Sequence, residues 1–238
     1  MGDYRRVEVA ALARSTLIRA WRPESGVWST PELAVRNLLP IPVEKIAKQL
    51  FDLKIESVPS ISAEHSSLDI AAILDIPRKE ITIADGLGHS AGERILTLAH
   101  EIYHYLKHRN LAQTVYRERM MRGNEIEDWR KSLRERQADW FAVEFTMPER
   151  LVAAEFHDRY GVPISLDDVD EQLVYWLEAG TKRRLSISDI HSRGIGYLRY
   201  LLAANTWFAG KHFDSLVSHF GVTSSAMSIR LRELHLVR

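Results

Sequence analysis

His100, Glu101 and His104 stand in the run Ile95-Leu96-Thr97-Leu98-Ala99-His100-Glu101-Ile102-Tyr103-His104-Tyr105-Leu106. Histidines four residues apart on a helix lie one turn above each other, so both imidazoles can reach one metal ion. A glutamate rotated by one residue can address a water on that metal. The run reads as a helix. Ile95, Leu98, Ala99, Ile102 and Leu106 recur at three- and four-residue spacing, with no Gly or Pro between them. Polar groups in the middle of an apolar helix are costly unless something satisfies them, and a metal ion would. The plain alternative is a chance pattern on a core helix.

A second stretch argues against chance. In Leu133–Phe145, Ala138, Phe141, Ala142 and Phe145 form an apolar stripe, and Glu135 and Asp139 border it. Glu135 reads as a third metal ligand. Asp139, one turn on, reads as the acceptor for the second ring nitrogen of a ligating histidine, fixing its tautomer. The alternative for Glu135 is an exposed acid paired with Arg134 or Arg136. His108 continues the series 100, 104, 108, but its side chain starts about 12 Å along the axis from that of His100, too far for one tetrahedral ion. It reads as a supporting or helix-end residue, where a cation suits the macrodipole. His89, Tyr103, Tyr105 and His108 are candidates for oxyanion or substrate contacts, and the residues do not choose among them. There is no cysteine, so His and carboxylate groups must carry a Zn2+ site.

The elements that position these residues follow from hydrophobic period. Residues 4–21 read as an amphipathic helix with Val7, Ala10, Leu17, Ala20 and Trp21 on its apolar side. Residues 22–42 hold four of the eight prolines and read as a connecting arm. Residues 42–50 form a second helix. Strands are expected at 54–58, 69–74 and 80–84, the last two as a hairpin. The edge of strand 80–84 is a candidate platform for an extended substrate. Gly86, Gly88 and Gly92 lead into the metal helix without the spacing of a dinucleotide fingerprint. The polar segment 109–130 is long for a plain connection and is expected to hold a helix or a flap. A long helix is expected from Ser188 to Phe208. Beyond it, Phe213–Phe220, Gly221-Val222-Thr223 and Ser224–Leu234 have helix-turn-helix grammar, with Thr223 or Ser224 as N-cap.

Composition bounds the function. The 238 residues are 45% hydrophobic, enough for a proper core, and the formal net charge is zero. That balance gives no support for binding nucleic acid through bulk charge. Residues 211–238 carry Lys211, Arg230, Arg232 and Arg238 against Asp214 and Glu233, so direct DNA binding by this end is not expected. No apolar run is long enough for a transmembrane helix. The Arg-rich start is broken by Asp3 and Glu8 and has no secretory character, so the expected location is cytoplasmic.

The motifs together resemble a known family. Leu96-Thr97-Leu98-Ala99-His100-Glu101-Ile102-Tyr103-His104-Tyr105-Leu106-Lys107-His108, then Glu135-Arg136-Gln137-Ala138-Asp139-Trp140-Phe141-Ala142, then Phe145-Thr146-Met147-Pro148, is similar to the ImmA/IrrE metallopeptidases. The resemblance covers about 40–238 and is strongest at 94–148. It implies His100, His104 and Glu135 as metal ligands and Glu101 as the catalytic base. It also implies a protein substrate, a helix-turn-helix repressor of a phage-type element or a stress response. Tyr103 stands where the family often has Gly, and Phe145-Thr146 where it often has Leu-Leu.

The expected architecture is α+β: a small twisted β-sheet on zincin-like helices, followed by a helical C-terminal part with a helix-turn-helix-like end. The expected divisions are an N-terminal helical arm (1–40), a metallopeptidase core (41–150) and a helical region (151–238) with the helix-turn-helix-like segment at 213–236. The expected function is zinc-dependent endopeptidase. The alternative is a DNA-binding or anti-repressor regulator with a non-catalytic zinc site.

Overall fold

The computed structural model describes residues 2–28, 38–61, 70–87, 90–108, 115–119 and 133–238. The chain forms an α+β fold in two compact units, Met1–Thr146 and Met147–Arg238. His89, and 109–114 and 120–130 of the polar segment, lie outside the described residues.

In the first unit the order is α1 (Gly2–Trp21), α2 (Val43–Phe51), β1 (Lys54–Val58), β2 (Ile70–Asp75), β3 (Glu80–Ala84), α3 (Ala91–His108), β4 (Val115–Arg119) and α4 (Leu133–Thr146). The strands lie in the order β1-β3-β2-β4. β1 runs parallel to β3, while β2 is antiparallel to both β3 and β4. The expected hairpin is therefore present. Its turn is tied by Asp75, whose Oδ1 accepts the Arg78 N–H at 3.0 Å.

The strand 80–84 does not offer a free edge. β3 is flanked by β1 and β2, and its ladder groups are already engaged on both sides. Alternation alone does not reveal this, because a central and an edge strand can share the same period. β1 is an edge strand and largely exposed, whereas Ile81 and Ile83 of β3 and Ala72 and Leu74 of β2 are fully buried. Within the polar segment, the described element is the strand β4 rather than a helix.

α3 and α4 pack against each other, and α1 packs on α4. α1 buries Val9, Ala13, Thr16 and Ala20, spaced four, three and four, while Val7 and Trp21 are exposed. The helix carries two opposed stripes, and the one with small residues faces inward because it lets the backbones approach closely.

The second unit comprises α5 (Glu149–Tyr160), α6 (Glu171–Thr181), α7 (Ile187–Ala204), a β5–β6 hairpin (Trp207–Phe208 and Lys211–His212), α8 (Leu216–Phe220) and α9 (Ser224–Glu233). The long helix ends earlier than its apolar pattern suggests. Asn205 turns to extended backbone, and Ala209 and Gly210 adopt positive φ in the hairpin turn, so Trp207 and Phe208 pair as a strand. Gly194, at φ 72 and ψ −174, also breaks the regular helix inside α7. At the end, Gly221 (φ 65) stops α8, and the Thr223 side chain accepts the Ala226 N–H to start α9. α9 packs on α7, burying Met227 and Leu231 completely. Among the described residues, no helix is long and apolar enough to cross a membrane.

Candidate metal centre

α3 is fixed at its start before its functional turn is reached. Ser90 and Glu93 form a reciprocal cap: the Ser90 N–H donates to Glu93 Oε2 at 2.7 Å, and the Glu93 N–H to Ser90 Oγ at 3.2 Å. One turn inside, the Arg94 guanidinium donates to Asp85 at 2.7 and 2.9 Å, to Ser57 at 3.1 Å and to Glu44 at 3.2 Å. That hub ties α3 to β1, to the loop after β3 and to α2. Ser-x-x-Glu before an apolar run is a signature readable in sequence; the Arg94 partners are not, because they lie far apart along the chain.

On α3, His100, Glu101 and His104 are all buried, Glu101 completely. α4 brings Glu135 and Asp139 to the same place, each partly exposed. His100 Nε2 lies 3.0 Å from His104 Nε2 and 3.2 Å from Glu135 Oε2, and His104 Nε2 lies 3.5 Å from Glu135 Oε2. On its other side the His100 ring donates from Nδ1 to Asp139 Oδ1 at 3.0 Å. A carboxylate can only accept, so this contact puts the proton on Nδ1 and leaves Nε2 with a lone pair directed at the cluster.

His100, His104 and Glu135 thus form a His/His/Glu group that could hold a metal ion. The fit can be tested by distance. Ligands about 2.0–2.1 Å from a tetrahedral zinc stand about 3.3 Å apart, and the three separations straddle that value. The electrostatics agree with a ligand set. The His100 and His104 imidazoles beside it hold the Glu135 carboxyl well below the usual carboxylate range. Burial lowers the pKa of His104, favouring the neutral imidazole that a metal requires.

The remaining candidates lie elsewhere or in support. Tyr103 is buried, its ring 5.6 Å from Phe141 and edge-on to His104 at 6.0 Å. Burial, with the nearby charge of Glu8, pushes its hydroxyl up to about 12. Tyr105 turns to α2, where its hydroxyl donates to the Phe51 carbonyl at 3.5 Å. His108 donates from Nδ1 to the His104 carbonyl at 3.1 Å, and its ring lies 5.6 Å from that of His104. Its pKa is lowered, first by burial and then by His104.

Two helices that converge in this way, one carrying His-Glu-x-x-His and the other Glu-x-x-x-Asp, can be compared with known proteins. Residues 52–162 match the family Peptidase_M78, described as the IrrE N-terminal-like domain. This stretch is similar to the M78 peptidase domain. It runs from the residues before β1 to just beyond α5 and includes every member of the cluster. α1 and α2 precede it, and α6 to α9 follow it. The M78 family is metal-dependent, in keeping with the His/His/Glu group. No curated protein matches the chain.

Proposed function

We propose that the protein is a zinc-dependent endopeptidase in which His100, His104 and Glu135 hold the metal. The observation that carries this reading is the approach of two imidazole Nε2 atoms and one carboxylate oxygen to 3.0–3.5 Å of one another. A zinc ion bound there would polarise the scissile carbonyl and lower the pKa of the attacking water. Glu101 follows His100 directly on α3, in the position from which a carboxylate takes a proton from that water and passes it to the departing amine. Asp139 keeps the His100 proton on Nδ1, so that Nε2 stays available as a ligand. The substrate is a regulatory protein, a helix-turn-helix repressor, as the resemblance to the ImmA/IrrE family implies.

The test is incubation of the purified protein with the repressor encoded beside its gene, followed by intact-mass analysis. Discrete fragments with zinc, none with a chelator and none with Glu101→Gln support the proposal. Cleavage that survives the chelator contradicts it.

A further inference from the structure

The second unit carries a row of arginine and tyrosine side chains that the peptidase reading does not use. Arg193 lies over the Tyr197 ring, 4.6 Å from its centroid, and Arg183 lies over Tyr200 at 5.4 Å, its Nη2 also 3.5 Å from the Tyr200 hydroxyl. Tyr197 and Tyr200 are three residues apart on α7, so they share a face. Lys182 and Arg184 flank Arg183 in the connection between α6 and α7, and all four cations are exposed.

The acidic groups close by are engaged otherwise. Glu178 accepts the Leu185 N–H at 2.8 Å, and Asp189 accepts the Ser186 hydroxyl at 2.6 Å at the start of α7. Among the described residues, neither Arg183 nor Arg193 forms an ion pair with a carboxylate. The stretch therefore carries four exposed cations against Glu178 and Asp189, and two of the cations lie over half-buried tyrosine rings.

We propose that this face binds single-stranded nucleic acid. Its cations suit the phosphate backbone, and the guanidinium planes held over its tyrosine rings supply flat surfaces on which bases stack. An acidic peptide would use the cations but not the rings. A duplex would offer its phosphates while keeping its bases stacked on each other. The zero net charge of the whole chain does not oppose the reading, because the cations are gathered locally.

The experiment is fluorescence anisotropy of a labelled 20-nucleotide oligothymidylate, and of its RNA counterpart, with the full-length protein across a salt series. Saturable binding is expected, with a log–log salt slope of about −3 from four phosphate contacts on a single strand. Arg183→Glu with Arg193→Glu should abolish it, and the milder Arg183→Gln with Arg193→Gln should cut affinity and flatten the slope. Tyr197→Leu or Tyr200→Leu should weaken binding about tenfold each while leaving the slope unchanged. Circular dichroism of each variant keeps loss of binding separate from loss of fold. Three results would overturn the proposal: no binding, binding indifferent to these substitutions in folded protein, or equal competition by polyglutamate or by duplex DNA. Since binding is read directly, failure here is distinct from failure of the peptidase reading.

Discussion

Glu135 and Asp139 stand four residues apart on α4, yet their contacts differ. Glu135 Oε2 faces both imidazole Nε2 atoms, whereas Asp139 Oδ1 faces the far nitrogen of His100. Glu135→Ala should therefore remove the metal more completely than Asp139→Ala, whose loss is expected to weaken affinity about 10–100-fold. Competition with a zinc chelator measures both, and the reverse order would mean that the two roles are exchanged. Glu101→Gln is expected to keep the metal and lose hydrolysis, because the amide fills the same space but cannot take the proton. A Glu101→Gln protein that still cuts at the wild-type rate would remove Glu101 from the chemistry. The approach of His100, His104 and Glu135, with Asp139 beside His100, is legible in the sequence, since helical spacing fixes which side chains can converge. The placement of Tyr103 and Tyr105 is not. Both flank His104, but the rings go to Phe141 and Phe51, and neighbouring numbers do not tell which way a ring turns.

Elements were legible where their period was strong and less so where tertiary partners decide. The hairpin of β2 and β3 and the helices α3, α4, α8 and α9 follow from spacing, caps and turn residues. The neighbours of β3 do not, because β1 joins it in parallel from a distant part of the sequence. Nor does the end of α7, where the apolar pattern continues through Trp207 and Phe208 although the backbone has already left the helix. Packing gives a prediction at this scale. Leu231 is fully buried on α9 and Arg232 is exposed. Leu231→Asp should destabilise the protein by about 3–5 kcal/mol, through a buried charge with no partner. Arg232→Glu should leave stability and peptide hydrolysis near wild type. Urea unfolding checks both, and a Leu231→Asp protein of undiminished stability would refute the packing described for α9. Gly180 gives a second. A Cβ there would stand 1.7 Å from Asn205 Oδ1 and 2.8 Å from the Trp207 backbone nitrogen. Gly180→Ala should lower the midpoint in the same assay, by an amount typical of an overpacked core, about 1–3 kcal/mol.

Across the whole molecule, the peptidase match ends at residue 162, whereas the first compact unit ends at Thr146. The match therefore takes in α5 of the second unit and leaves out α1, which buries Val9, Ala13 and Ala20 in the core of the first. Composition and motif order carry the α+β class and the resemblance to the peptidase family. They do not carry the course of α1, whose buried face could be chosen only by α4. Elemental analysis of purified protein shows whether α3 and α4 bring three ligands to one metal ion. About one zinc per chain is expected in the wild type, and none retained by His104→Ala after dialysis. Full zinc retention by a folded His104→Ala protein would contradict that ligand set.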